Sequence, residues 1–127
     1  MLKRSLSGLI LLTVLMLVSC ANGSNGAAGT VPLVTDKLTF IYFYSDECPN
    51  CMIMQPIVER LESQYKQQMT FESLNVDSDG KNLYNALGLH GNPIFMIMGA
   101  GGDVVYRGFG RVPEVALDSG IRKAIGL

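Results

Sequence analysis

The sequence predicts an α/β fold, a central mixed β-sheet flanked by helices, in the order β-α-β-α-β-β-α. Three observations predict it. From Lys37 onward, short runs rich in β-branched and aromatic residues alternate with stretches whose apolar residues recur every three or four positions. Two of the later runs, Ile94–Met98 and Val104–Gly108, are joined by the glycine-rich stretch Gly99–Asp103, which is hairpin chemistry and adds antiparallel pairing to a chain of βα units. Finally, Cys48-Pro49-Asn50-Cys51 stands where the first strand gives way to the first helix. The chain has 127 residues, 48% of them apolar, and a net charge of −1, which suits one small domain with one core. No basic stripe is present, so nucleic-acid binding has no electrostatic support.

The first 19 residues read as an address. Lys3 and Arg4 form a charged flank, and Leu6 to Val18 is an apolar stretch shorter than the ~20 residues a spanning helix needs. It ends in Leu17-Val18-Ser19-Cys20, which resembles the lipobox of bacterial lipoproteins. The resemblance implies cleavage before Cys20 and acylation of that cysteine, which would hold the chain on a membrane surface by hydrophobic burial. An ordinary export signal is the plainer alternative. Residues 20–36 then read as the lipidated cysteine and a tether, because Ala21 to Thr30 is rich in Asn, Gly, Ser and Ala and can bury little. Residues 37–127 are the expected folded domain.

Within that domain, Lys37–Tyr44 is the first strand. The first helix is expected to start near Pro49, since proline fits a first helical turn, and Ile53, Met54, Ile57, Val58, Leu61 and Tyr65 mark its apolar face. Pro56 lies inside this pattern and is expected to kink the helix. Thr70–Val76 is the second strand, with Leu74 and Val76 on its apolar side. Asp77-Ser78-Asp79-Gly80 is a turn before a short helix, Lys81–Leu87, which Gly88 ends. His90-Gly91-Asn92-Pro93 is a loop, and Pro113–Ile125 a final helix with Val115, Leu117, Ile121, Ala124 and Ile125 as its apolar contacts.

The position of the two cysteines carries the chemistry. A thiol at a helix N-terminus lies where free backbone N–H groups and the helix dipole favour negative charge, so Cys48 is expected to ionise readily. Cys51, one turn further in, is within disulfide reach and better shielded. That division suits thiol–disulfide exchange, with Cys48 attacking and Cys51 resolving the mixed disulfide.

The element order and the motif after the first strand resemble thioredoxin over Lys37 to Leu127. The resemblance rests on Tyr42-Phe43-Tyr44-Ser45 leading to Cys48, on Pro56 five residues after Cys51, on Leu74-Asn75-Val76-Asp77, on Gly88 to Pro93 and on Asp103 to Gly108. It implies a thioredoxin fold and a thiol–disulfide oxidoreductase whose Pro93 is cis and whose Asn92 backbone, with Pro93, binds an extended substrate. Pro49 and Asn50 would form the active-site turn. Several positions depart from the family. Glu47 replaces the usual tryptophan, Tyr42 falls where the family has a buried aspartate, Ser73 falls near its partner lysine, and the dipeptide between the cysteines is Pro-Asn. The segment before the first strand is also too short for the family's leading strand and helix, so a fold trimmed at its N-terminus is expected.

The resulting expectation is an exported, lipid-anchored oxidoreductase facing the periplasm or cell exterior. It would act on cysteine pairs of exported proteins, as a reductase more than an oxidase, and as a monomer. It would need no bound cofactor or metal beyond the dithiol, but a reductase would draw on a membrane electron-transfer partner. Rival readings are weighed beside it. A structural zinc site needs four ligands, and with Cys20 lipidated only His90 remains beside the pair. A copper(I) metallochaperone would use the cysteines with Met52, Met54, Met96 and Met98, residues that at these spacings read more simply as core. An adaptor with an inert disulfide would gain little from so small a loop. His90 reads as a solvated loop residue, with acid–base catalysis as its alternative.

Overall fold

A computed structural model of the chain describes residues 36–127. The expected leader, Cys20 and all but the last residue of the tether lie outside the described residues. The elements are β1 (Thr39–Tyr44), α1 (Pro49–Tyr65), β2 (Thr70–Asn75), α2 (Lys81–Ala86), β3 (Ile94–Met98), β4 (Val104–Phe109) and α3 (Glu114–Ala124). They follow the predicted β-α-β-α-β-β-α order and form a four-stranded mixed sheet in the order β2-β1-β3-β4. β1 pairs parallel with β2 and antiparallel with β3, and the glycine-rich turn joins β3 to β4 as an antiparallel hairpin.

β1 and β3 read as almost unbroken apolar runs because both of their faces are covered. Side chains alternate across a strand, so Phe40 and Tyr42 point to one face of β1 and Ile41 and Phe43 to the other. On the first face they meet α1 and α3, with Met54, Val58, Leu61, Leu117 and Ile121 each 2% exposed or less. On the second face Ile41 and Phe43 join Leu89, Ile94, Met96 and Met98 under α2. Cross-strand registry places aromatic rings side by side: Phe40 opposite Phe71 with centroids 5.0 Å apart, and Tyr42 opposite Phe95 at 5.3 Å with nearly parallel planes.

The sequence-based face assignments need two corrections. Val115 is solvent-exposed, and Ile53 is nearly half-exposed. In α1 the buried stripe is Cys51, Met54, Val58, Leu61 and Tyr65, and Ile53 lies one residue off it. In α3 the buried pair is Leu117 and Ile121, four apart, and Val115 falls outside their stripe. Leu74 and Val76 pack on the α2 side as expected, although β2 ends at Asn75. α1 runs through Pro56 as one helix to Tyr65. The methionines divide as well. Met96 and Met98 lie in the α2-side core, Met54 in the core that holds the cysteines, and Met52 is exposed, so the four do not converge with Cys48 and Cys51 on one ion.

α1 and α3 are tied by Tyr65, whose hydroxyl donates to Asp118 at 2.5 Å, and by Arg60 on Glu114. The latter pair is 58% and 43% exposed and contributes little. Closer control comes from Gly120, inside α3. A Cβ there would approach the ring of Tyr106 on β4 to 2.7 Å. Alanine would gain ~1 kcal/mol of helix propensity, but overpacking costs ~1–3 kcal/mol. Gly120→Ala is therefore expected to lower stability by about 1 kcal/mol in urea denaturation; a rise would show that α3 can back away from the sheet.

Candidate functional site

Cys48 is the N-cap of α1. Its backbone is extended (φ −106°, ψ 103°), and its sulfur accepts the Cys51 N–H at 3.1 Å. The Cys48 carbonyl accepts from the N–H groups of Cys51 and Met52 at 3.0 and 3.2 Å. Pro49 is the first helical residue, where its missing N–H would have had no helical partner. Cys48 stands at the helix N-terminus as expected, and its sulfur takes the capping place usually held by a serine or aspartate oxygen. Cys48 and Cys51 form a disulfide with Cα atoms 5.1 Å apart. Cys48 is 7% exposed and Cys51 3%, so attack from solvent favours Cys48. Pro49 and Asn50 are exposed at the mouth, and Asp46 and Glu47 stand in solvent on the loop before it.

The loop before β3 lies against this turn. The Asn92–Pro93 peptide is cis, Pro93 is buried, and its carbonyl accepts from Gly110 N–H at 2.9 Å. The Asn92 side-chain amide donates to the Ser45 hydroxyl at 2.5 Å, which joins the proline loop to the segment that delivers Cys48. Gly91 enters the loop with φ +76°, and a Cβ there would come within 2.8 Å of the Phe109 ring. Tyr84 donates to the Gly91 carbonyl at 2.7 Å and steadies the loop from α2. His90 is exposed. The sequence could not have shown the Ser45–Asn92 bond, whose partners are 47 residues apart.

Tyr42 forms the floor. It is 2% exposed, stacked on Phe95 and, at 5.5 Å, on Tyr44, and its hydroxyl donates to the Cys51 carbonyl at 2.9 Å. A buried tyrosine hydroxyl needs a partner, and here it is the backbone of Cys51. Beyond Tyr42 a cavity of about 420 Å³ opens between α1 and β2, with Asp46, Gln55, Glu59, Glu62 and Ser73 on its walls. Among the described residues no group of three or more His, Cys, Asp or Glu side chains is placed to hold a metal ion. A sulfur pair of this kind, one thiol at a helix N-terminus and the other shielded beneath it, is suited to reversible two-electron exchange with another disulfide.

The family model described as thioredoxin matches residues 30–123. A thioredoxin from Chlorobaculum thiosulfatiphilum is 30% identical over 94 residues, covering 74% of this chain and 85% of that protein. A protein of Oryza sativa subsp. japonica named "Thioredoxin-like protein HCF164, chloroplastic" is 32% identical over 96 residues, 74% of this chain, and the chain spans only 37% of that longer protein. Among solved structures, a mutant thioredoxin from Halobacterium salinarum NRC-1 superposes with a TM-score of 0.63 at 28% identity, covering 73% of this chain and 78% of that one. A thioredoxin from Fasciola hepatica gives the same score at 22% identity and speaks for the fold alone.

Burial, and then the neighbouring Tyr44, push the Tyr42 phenol up to about 12. An unfolded tyrosine ionises near ~10. Between those values the folded chain holds the extra proton, so this contribution is complete below about pH 10 and is lost as pH rises toward about 12. Urea midpoints are therefore expected to fall between pH 9.5 and 11.5 (roughly that window), and to fall less steeply in Tyr42→Phe. Equal slopes would mean that Tyr42 titrates as an exposed phenol.

Proposed function

The chain belongs to the thioredoxin family and is a thiol–disulfide oxidoreductase, and from that premise we propose that it is a membrane-tethered reductase working outside the cytoplasm on cysteine pairs of exported proteins. The observation that carries the proposal is the Cys48 sulfur at the N-cap of α1, accepting the Cys51 N–H, with Cys51 buried directly behind it.

In the reduced protein the Cys48 thiolate, held by the helix N-terminus, attacks one sulfur of a substrate disulfide. The other substrate sulfur leaves as a thiolate, and a mixed disulfide joins Cys48 to the substrate. Cys51 then gives up its proton and attacks the Cys48 sulfur. The second substrate thiolate departs, two electrons have passed to the substrate, and the Cys48–Cys51 disulfide of the present structure is formed. Asn92 offers its backbone to the extended substrate beside Cys48, and buried Pro93 fixes the loop that presents it. Pro49 and Asn50 shape the exposed entry to the pair. No further cofactor takes part, so a dithiol-bearing electron donor in the membrane must restore the reduced form. The tether is the acylated Cys20, supported by the charged flank, the short apolar stretch and the placement of that cysteine.

Three measurements test this. Cys51→Ser is expected to accumulate mixed disulfides with exported proteins, resolvable on non-reducing gels, and Cys48→Ser to give none; Cys20→Ser is expected to move the protein from the membrane to the soluble fraction. Equilibration against glutathione is expected to give a potential near about −270 mV. A value near about −120 mV would reverse the direction and make the protein an oxidant.

A further inference from the structure

We propose that Tyr42 is a positioning residue for the resolving half of the exchange: by holding the Cys51 carbonyl it fixes the first turn of α1, so that Cys51 meets the mixed disulfide in line. The proposal rests on the assignment of Cys48 as the attacking sulfur and Cys51 as the resolving one.

The backbone of Cys51 is held at both ends. Its N–H points to Cys48, at 3.1 Å from the sulfur and 3.0 Å from the carbonyl, and its own carbonyl accepts from the Tyr42 hydroxyl at 2.9 Å. The next carbonyl along, that of Met52, would ordinarily accept from the residue four positions on. That residue is Pro56, which has no N–H. The turn that bears both cysteines is thus attached to the rest of α1 by one bond fewer than in an unbroken helix. Tyr42 supplies an anchor from outside the helix. It sits on β1, between β2 and β3, and its ring is clamped between Tyr44 and Phe95. An anchor so immobilised transmits the position of the sheet to the turn.

The need for it arises within the reaction. While Cys48 is bonded to a substrate, the Cys48–Cys51 bond no longer holds the turn together, but the Tyr42 bond remains. Displacement at sulfur requires the entering and leaving sulfurs to lie in line, and a misplacement of about 1 Å can cost on the order of 10²-fold in rate. The first step makes no such demand on Cys51, since the substrate approaches Cys48 from solvent.

A chromogenic aryl disulfide separates the steps in the full chain, with Cys20→Ser in every variant so that only two thiols react. Cys48 releases the first arylthiolate as the mixed disulfide forms. Cys51 releases the second as it closes the protein disulfide, so two electrons pass to two arylthiolates. In Tyr42→Phe, which keeps the ring, the second phase is expected to slow about tenfold while the first stays within about twofold. The pH profile of the second phase should keep its midpoint and lose height. Tyr42→Met, which removes the ring as well, should slow the second phase at least as much. Gly120→Ala, which crowds Tyr106 and touches neither Tyr42 nor the cysteines, should lower stability and leave both phases within about twofold. An unchanged second phase in Tyr42→Phe, equal slowing of both phases, or equal slowing in Gly120→Ala would each overturn the proposal. A shifted midpoint would do so too, since it would make Tyr42 an acid–base group. Retention of the second phase in Cys51→Ser would overturn the sulfur roles themselves, a failure visible without any change at Tyr42.

Discussion

The structure depends on one hydrogen bond of an unusual kind, the Cys51 N–H donated to the sulfur of Cys48 at the N-cap of α1. A helix leaves its first N–H groups without partners, and a capping side chain that accepts from them is worth ~1 kcal/mol. Here the cap is also the reactive atom. The arrangement requires β1 to end at Tyr44 and the chain to turn within the next three residues, so that Cys48 arrives extended and Pro49 begins the helix. Moving the helix start by one residue would leave the sulfur without its donor. Local helix geometry and redox chemistry therefore impose the same constraint on the same four residues.

The sheet makes that constraint rigid. β1 is central and buried on both faces, with α1 and α3 over one and α2 over the other. Leu117 and Ile121 bring α3 against the face that carries Tyr42 and Phe95, and each fully buried side chain of this size contributes ~1.5–3 kcal/mol. By comparison the exposed Arg60–Glu114 pair is a minor tie, screened by water and salt. The apolar core thus positions the site, and the Ser45–Asn92 and Tyr42–Cys51 hydrogen bonds set its details.

How much of this the sequence disclosed varies with the range of the interaction. All seven elements were legible, because periodicity, turn residues and apolar runs act locally, and the element ends moved by only one or two residues: β1 starts at Thr39 instead of Lys37, and β4 reaches Phe109. Faces were less legible. Ile53 fits the four-residue spacing with Ile57 and Leu61 yet lies beside the buried stripe, since a helix of this size buries one narrow stripe against a sheet and spacing alone does not say where that stripe is centred, while Val115, two residues before Leu117, falls off the stripe's spacing altogether. The cysteine pair and the proline loop were legible as a motif. The contacts that join them were not: Ser45 meets Asn92 only because the antiparallel pairing of β1 with β3 brings their loops to the same end of the sheet.

The charges around the pair point to what governs its chemistry. Tyr42, whose hydroxyl bonds the Cys51 carbonyl, has its phenol pushed up to about 12 by burial and is neutral at physiological pH. The carboxylates of Asp46, Glu47, Glu59 and Glu62 are all exposed, where water and salt weaken their reach over the sulfurs. α1 carries no acidic residue in its first turn. What remains close to Cys48 is the backbone: the N–H of Cys51 on the sulfur and the dipole of a 17-residue helix behind it. A helix N-terminus stabilises an anion by ~0.3–1 kcal/mol when exposed and up to ~2 kcal/mol when partly buried. That stabilisation favours the thiolate of the reduced pair over its thiol, with no fixed charge required. Such tuning is carried by geometry, so it is only as reliable as the position of the first turn. In this chain that turn, cut off from one rung of its own helix by Pro56, is held in place from the sheet.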